Sequence, residues 1–164
     1  MPDRTRILLL SIACTVLAGC DFRVPLADTP ELAIDSRAIG LWERTKPDGK
    51  SERLPLNDHE YFVSWPEGAH HELFASAHLV EFSGKTLVQI KRFGASDGTV
   101  PDDDRVFRIA TYAQSGDELE IRLLDAEVIG KDFRSSADLA RVVEAHGDNP
   151  TLFRDKMVFN RIRT

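Results

Sequence analysis

Several stretches of the chain alternate apolar and polar residues, and each alternation predicts a strand. Residues 39–45 and 60–65 are the first two, the second stopped by Pro66 and Gly68. Residues 77–82 and 86–93 are spaced as a hairpin across Ser83-Gly84-Lys85, a short turn containing glycine. Residues 105–114 and 118–124 repeat that arrangement across Ser115-Gly116-Asp117. In the latter strand Leu119, Ile121 and Leu123 share one face, while Glu118, Glu120 and Arg122 share the other. This is the period of a sheet with one buried side. Residues 156–163 form the last predicted strand. A helical period interrupts the series. Ser135 and Asp138 have capping-box spacing, Leu139, Val142 and Val143 form an apolar stripe, and Gly147 and Pro150 end it. A shorter helical turn is expected over 126–131. The pattern predicts a mainly β domain: an antiparallel meander of roughly six to eight strands with a short helical insertion before the last one. Closure into a barrel, or strong curvature, would remove its open edges.

The N-terminus follows a different pattern. Arg4 and Arg6 precede residues 7–17, which are uncharged and mostly apolar, and Ala18, Gly19 and Cys20 follow. The apolar run is shorter than the about 20 residues a spanning helix needs. A basic start, a short apolar run and a small-residue exit predict a secretory signal peptide. Residues 20–38 contain Pro25 and Pro30 and no sustained period, so they read as a tether in which a few apolar residues can dock. The chain thus divides into a leader (1–19), a tether (20–38) and a β domain (39–164).

Leu17-Ala18-Gly19-Cys20 resembles the lipobox of bacterial lipoproteins. The resemblance implies cleavage between Gly19 and Cys20. It also implies diacylglycerol on the Cys20 thiol and a further acyl chain, of the palmitate type, on the new terminal amine. Two or three such chains give stable anchoring where one gives only marginal binding. Cys20 is then the lipidation site, and the membrane is a partner through the acyl anchor. In enteric members of that family an Asp in the place of Asp21 goes with inner-membrane retention, which gives the inner membrane a slight preference over the outer.

Composition adds exclusions. The 164 residues carry 21 Lys+Arg against 27 Asp+Glu, a net charge of −6, and the only cysteines are Cys14 and Cys20. With the leader removed and Cys20 capped, as the lipobox resemblance implies, the mature domain would have no thiol for thiol chemistry or a disulfide framework. An acidic balance argues against a nucleic-acid partner.

Gly40-Leu41-Trp42 resembles the Gly-x-Trp motif that opens the first strand of lipocalins and related calycin barrels. The resemblance implies a lipocalin-like domain in which Trp42 plugs one end and an Arg of the last strand packs across it. Arg161 and Arg163 are available, and Arg161 is favoured because it shares a face with Phe159. Trp42 as an ordinary core residue predicts the same burial.

The other clusters have plain readings. His59, His70, His71 and His78 stand near Glu60, Glu67 and Glu72, yet match no zinc spacing, so no metal is expected. Asp97, Asp102, Asp103 and Asp104 lack the EF-hand order and read as a solvated hairpin loop kept extended by repulsion. There is no nucleophile elbow, phosphate loop or dinucleotide fingerprint, and Glu118 and Glu120 fall on the predicted solvent face. Catalytic residues and cofactors are therefore expected to be none, apart from the covalent lipid. Phe62, Trp65, Phe82, Phe93, Phe107 and Tyr112 can either line a cavity or fill a small barrel, the filled core being the default. The expectation is a non-enzymatic envelope lipoprotein, facing the periplasm, that binds a small apolar or amphipathic molecule. The alternative is an interaction module, an assembly factor or inhibitor acting through loops such as 59–71 or 97–104. An envelope hydrolase is the third reading.

Overall fold

The computed structural model describes residues 21–44, 50–65 and 72–163. Eight strands run in chain order around a closed antiparallel barrel: β1 (Gly40–Arg44), β2 (Lys50–Pro55), β3 (Glu60–Trp65), β4 (Leu73–Phe82), β5 (Lys85–Ala95), β6 (Phe107–Ser115), β7 (Glu118–Leu124) and β8 (Phe153–Arg161). The fold is thus mainly β and lipocalin-like in form. Every strand is hydrogen-bonded on both sides, which removes the exposed edges of an open sheet. The closing seam pairs Trp42 with Arg161 and Arg44 with Phe159.

Two helices, α1 (Ala126–Ile129) and α2 (Ser136–Ala145), interrupt the meander between β7 and β8. The Asp125 side chain caps α1 by accepting from the Glu127 amide, and Ser135 caps α2 by accepting from the Asp138 amide. Gly147 directly follows the C-cap His146, as its spacing predicts, and takes no positive φ. The last helical bonds end on His146 and Gly147, whose amides bond Val142 and Glu144.

The apolar residues form two layers. Inside the barrel, Trp42, Leu119 and Phe159 pack together near one group built on Tyr61, Ala77 and Leu79. Outside, Val80, Leu87 and Ile109 on the wall are covered by Leu139 and Val143 of α2 and by Phe22 and Leu26 of the N-terminal segment. Within residues 21–38, Phe22, Val24, Leu26 and Ala27 pack on the outer wall, and Leu32, Ile34 and Ala38 pack near the start of β1. The segment starts with a Phe22–Phe107 bridge beside β6 and ends in a 3-10 turn at Ser36–Ala38, which leads into β1.

The sequence reading has no counterpart to β2, and β4 begins four residues earlier than its apolar pattern suggests. In β2 the inward positions are Ser51 and Arg53, so the strand shows no apolar face. A two-residue hairpin turn joins β4 to β5, with Ser83 and Gly84 both at positive φ (49° and 72°). No helix of the described residues is long and apolar enough to cross a membrane.

Candidate functional site

The Gly-x-Trp strand and the last strand meet at the barrel seam. Trp42 is fully buried, and its indole N–H donates to the Ala38 carbonyl at 3.0 Å. The Arg161 guanidinium lies over the indole, 4.4 Å from the ring centroid. It also donates to the carbonyls of Ile39 (2.7 Å) and Arg37. Gly40 explains itself by this contact. Its φ of +127° is open to glycine, and a Cβ there would stand 2.8 Å from Arg161 Nη1. The structure thus brings Gly40, Trp42 and Arg161 into one cluster.

A second cation lies deeper. Arg53 pairs across the sheet with Gly40 and Val63, on the inner face. It is only 8% exposed, with its guanidinium carbon 5.3 Å from the Phe159 centroid and 5.9 Å from that of Trp42. Two rings thus flank this cation, and Trp65 meets one of them, Phe159, edge-on at 5.4 Å. Arg53 Nη1 is buried without a hydrogen-bond partner. Desolvation holds the guanidinium down at about 10. Ring faces compensate a buried cation in part, but they give Nη1 no acceptor. Sequence reasoning missed Arg53. The usable signal was its period-two spacing from Ser51, opposite the glycine that precedes Trp42.

One end of the interior is closed by the segment leading into β1. The Asp35 amide donates to the Tyr61 hydroxyl at 2.5 Å, the Tyr61 hydroxyl donates to the Asp35 carbonyl at 3.1 Å, and Gln114 Nε2 donates to the Arg37 carbonyl at 2.8 Å. Burial pushes the Tyr61 hydroxyl up to about 12. The hydrogen-bonded Arg37 guanidinium holds the Asp35 carboxyl below its ordinary range.

The remaining predicted groups are dispersed. Gly19, Cys20, His70, His71 and Glu67 lie outside the described residues. Among those described, no three His, Cys, Asp or Glu side chains are grouped to hold a metal ion. His59 is exposed, with Nδ1 3.1 Å from the Leu32 carbonyl oxygen, while His78 is buried beside Gln89. The acidic loop is folded on itself: Asp97 accepts from the Thr99 amide, Asp103 from the Arg105 amide, and Asp104 pairs with Arg23 at 3.1 Å. Glu120 bonds Lys156 (2.6 Å) and Arg122 (2.7 Å), which holds its carboxyl below the ordinary range. The aromatics divide. Trp65 and Tyr112 face the interior, Phe82 and Phe107 pack under the outer layer, and Phe62, Phe74 and Phe93 form a ring cluster on the outer wall.

Two open grooves flank the outer layer. One, of about 280 Å³, runs between the β4–β5 hairpin (Phe82, Lys85) and the end of α2 (Val143, Glu144). The other, of about 330 Å³, separates Asp28, Glu31 and Leu32 from Leu79 and Glu81 of β4. Both are rimmed by carboxylates, and neither is lined by Arg53. The chain matches no family model, no curated protein and no solved structure.

Proposed function

We propose that this chain is a lipid-anchored protein of the bacterial cell envelope, held on the periplasmic side by acyl chains on Cys20. Its barrel binds a small amphipathic molecule that carries a negative charge and performs no reaction on it. The leader pattern supports the anchor. The observation that carries the binding reading is Arg53, a cation inside a ring-lined barrel with a donor left unbonded. A buried donor without a partner costs about 1–3 kcal/mol, and a bound carboxylate would supply the missing acceptor. An apolar tail would lie against Trp65 and Phe159. Buried polar groups of this kind fix a ligand's orientation in a mostly apolar site.

Trp42 stands close to Arg53 and Trp65 packs on Phe159, the other ring beside it, so tryptophan fluorescence reports on the site. Titration of the acyl-free protein with dodecanoate should shift that emission saturably. Dodecanol should bind more weakly, and dodecyltrimethylammonium should not bind. Equal responses to all three, or none, would refute the reading.

A further inference from the structure

The chain is held from the first residue after Cys20. The Asp21 carboxylate is buried and bonds two guanidiniums, Arg108 and, at 2.9 Å, Arg92. Phe22 is completely buried, and it exchanges both backbone hydrogen bonds with Phe107 (2.8 and 3.1 Å). Further along, the amides of Leu26 and Ala27 both donate to Gln89 Oε1, and Gln89 Nε2 returns a bond to the Ala27 carbonyl at 2.8 Å. A flexible linker of n residues wanders about 5–6 Å × √n. Here no such length is left, because successive α-carbons are about 3.8 Å apart and Asp21 is already clamped.

This clamp lies at the end of the barrel where β1, β3, β5 and β7 finish, since Arg92 belongs to the last turns of β5 and Arg108 to the start of β6. Exposed apolar side chains occur at both ends, Leu54 and Leu56 at the far one and Phe93 and Val100 at this one, so they do not by themselves orient the barrel. Val100 is 68% exposed in the β5–β6 loop, and Phe93 is 47% exposed and continuous with Phe62 and Phe74. The loop also carries Asp102, Asp103 and Asp104, which anionic headgroups would repel. Charge therefore does not orient the barrel; the point of attachment does.

We propose that, with Cys20 acylated, the barrel has no tether and stands directly on the bilayer with its Asp21 end down, Val100 and Phe93 reaching the lipid headgroups. The inference rests on the lipid-anchor reading above, and names its consequence for how the domain is presented. The opposite end, with the β6–β7 turn and the closed cap at Asp35, then faces away from the membrane.

The test uses the full chain, produced in a bacterial host and checked by mass spectrometry for acyl mass on Cys20. It is reconstituted in phosphatidylethanolamine–phosphatidylglycerol vesicles that carry a headgroup quencher. Fluorophores are attached at Val100→Cys or, at the far end, Ser115→Cys. The barrel ends are about 25 Å apart, from strands of this length at the usual rise and tilt. The Val100 probe should be quenched several-fold more than the Ser115 probe. An insertion of about ten Gly/Ser residues between Cys20 and Asp21 should abolish the difference, and Asp21→Asn should reduce it. Equal quenching at the two positions in the acylated, uninserted protein, or stronger quenching at Ser115, would overturn the inference alone. Absence of acyl mass on Cys20 would overturn the anchor reading, and this inference with it.

Discussion

Arg161 is the backbone partner of Trp42 across the β1–β8 seam, and its guanidinium also lies 4.4 Å from the Trp42 ring centroid. One side chain therefore closes the barrel twice, by stacking on the first strand and by bonding the Arg37 and Ile39 carbonyls that lead into it. Arg161→Met should cost about 2–4 kcal/mol in urea unfolding, from the lost cation–π contact and the two carbonyls left without their donor. Gly40→Ala should also destabilise, because the new methyl meets Arg161 and the φ is unsuited to alanine. In a double-mutant cycle the two changes should be less than additive, since Met at 161 removes the group that the methyl strikes. Additive costs would separate the glycine from the arginine.

Arg53→Met should move stability the other way. The buried cation loses its ring contacts, but a donor without an acceptor disappears as well. Replacing a buried charge by an apolar side chain of similar length is often neutral or stabilising. We expect a barrel more stable by about 1 kcal/mol in urea unfolding and a loss of the dodecanoate-induced fluorescence change. A large destabilisation would make Arg53 a structural residue.

His78 gives the barrel a stability that depends on pH. Burial lowers its affinity for a proton in the folded chain, against the opposing attraction of Glu60, whereas the unfolded chain titrates near 6.5. The unfolded state thus binds more protons just below that value. The His78 contribution should be fully present above pH 6.5, and decline as pH falls below it until the folded form also protonates. Urea midpoints measured between about pH 5 and 8 should show this decline, and His78→Gln should flatten it.

Ser83 occupies a backbone conformation that suits asparagine better. Its φ of 49°, followed by Gly84 at 72°, is the geometry of a primed two-residue hairpin. Ser83→Asn should raise stability by about 0.5–1 kcal/mol, read as a shift of the thermal midpoint, with no change in ligand response. An unchanged or lower midpoint would mean that the serine hydroxyl has a role its backbone does not reveal.

The parts of the fold that were legible in the sequence are those where the buried face is apolar or the turn needs a special residue. The alternation of Leu119, Ile121 and Leu123 marked β7, Gly84 and Gly116 marked the hairpins, and Ser135 with Asp138 marked the start of α2. Gly147 marked the end of α2, where it directly follows the C-cap His146. Strand β2 was illegible for the opposite reason. A strand whose inward residues are Ser51 and Arg53 has the same local pattern as a solvated loop.

By itself the sequence determined the mainly antiparallel β architecture and the place of the helical insertion. Period-two burial, turn backbone angles and capping are all local physics. Only the tertiary structure decided that the sheet closes between β1 and β8 and that Phe62, Phe74 and Phe93 lie outside. It alone placed Arg53 inside with its Nη1 unbonded, and clamped Asp21 between Arg92 and Arg108. Those outcomes join residues far apart in the chain. Whether a polar side chain faces water, a ring or a counter-charge is set by what the closed barrel places opposite it, not by its neighbours in sequence.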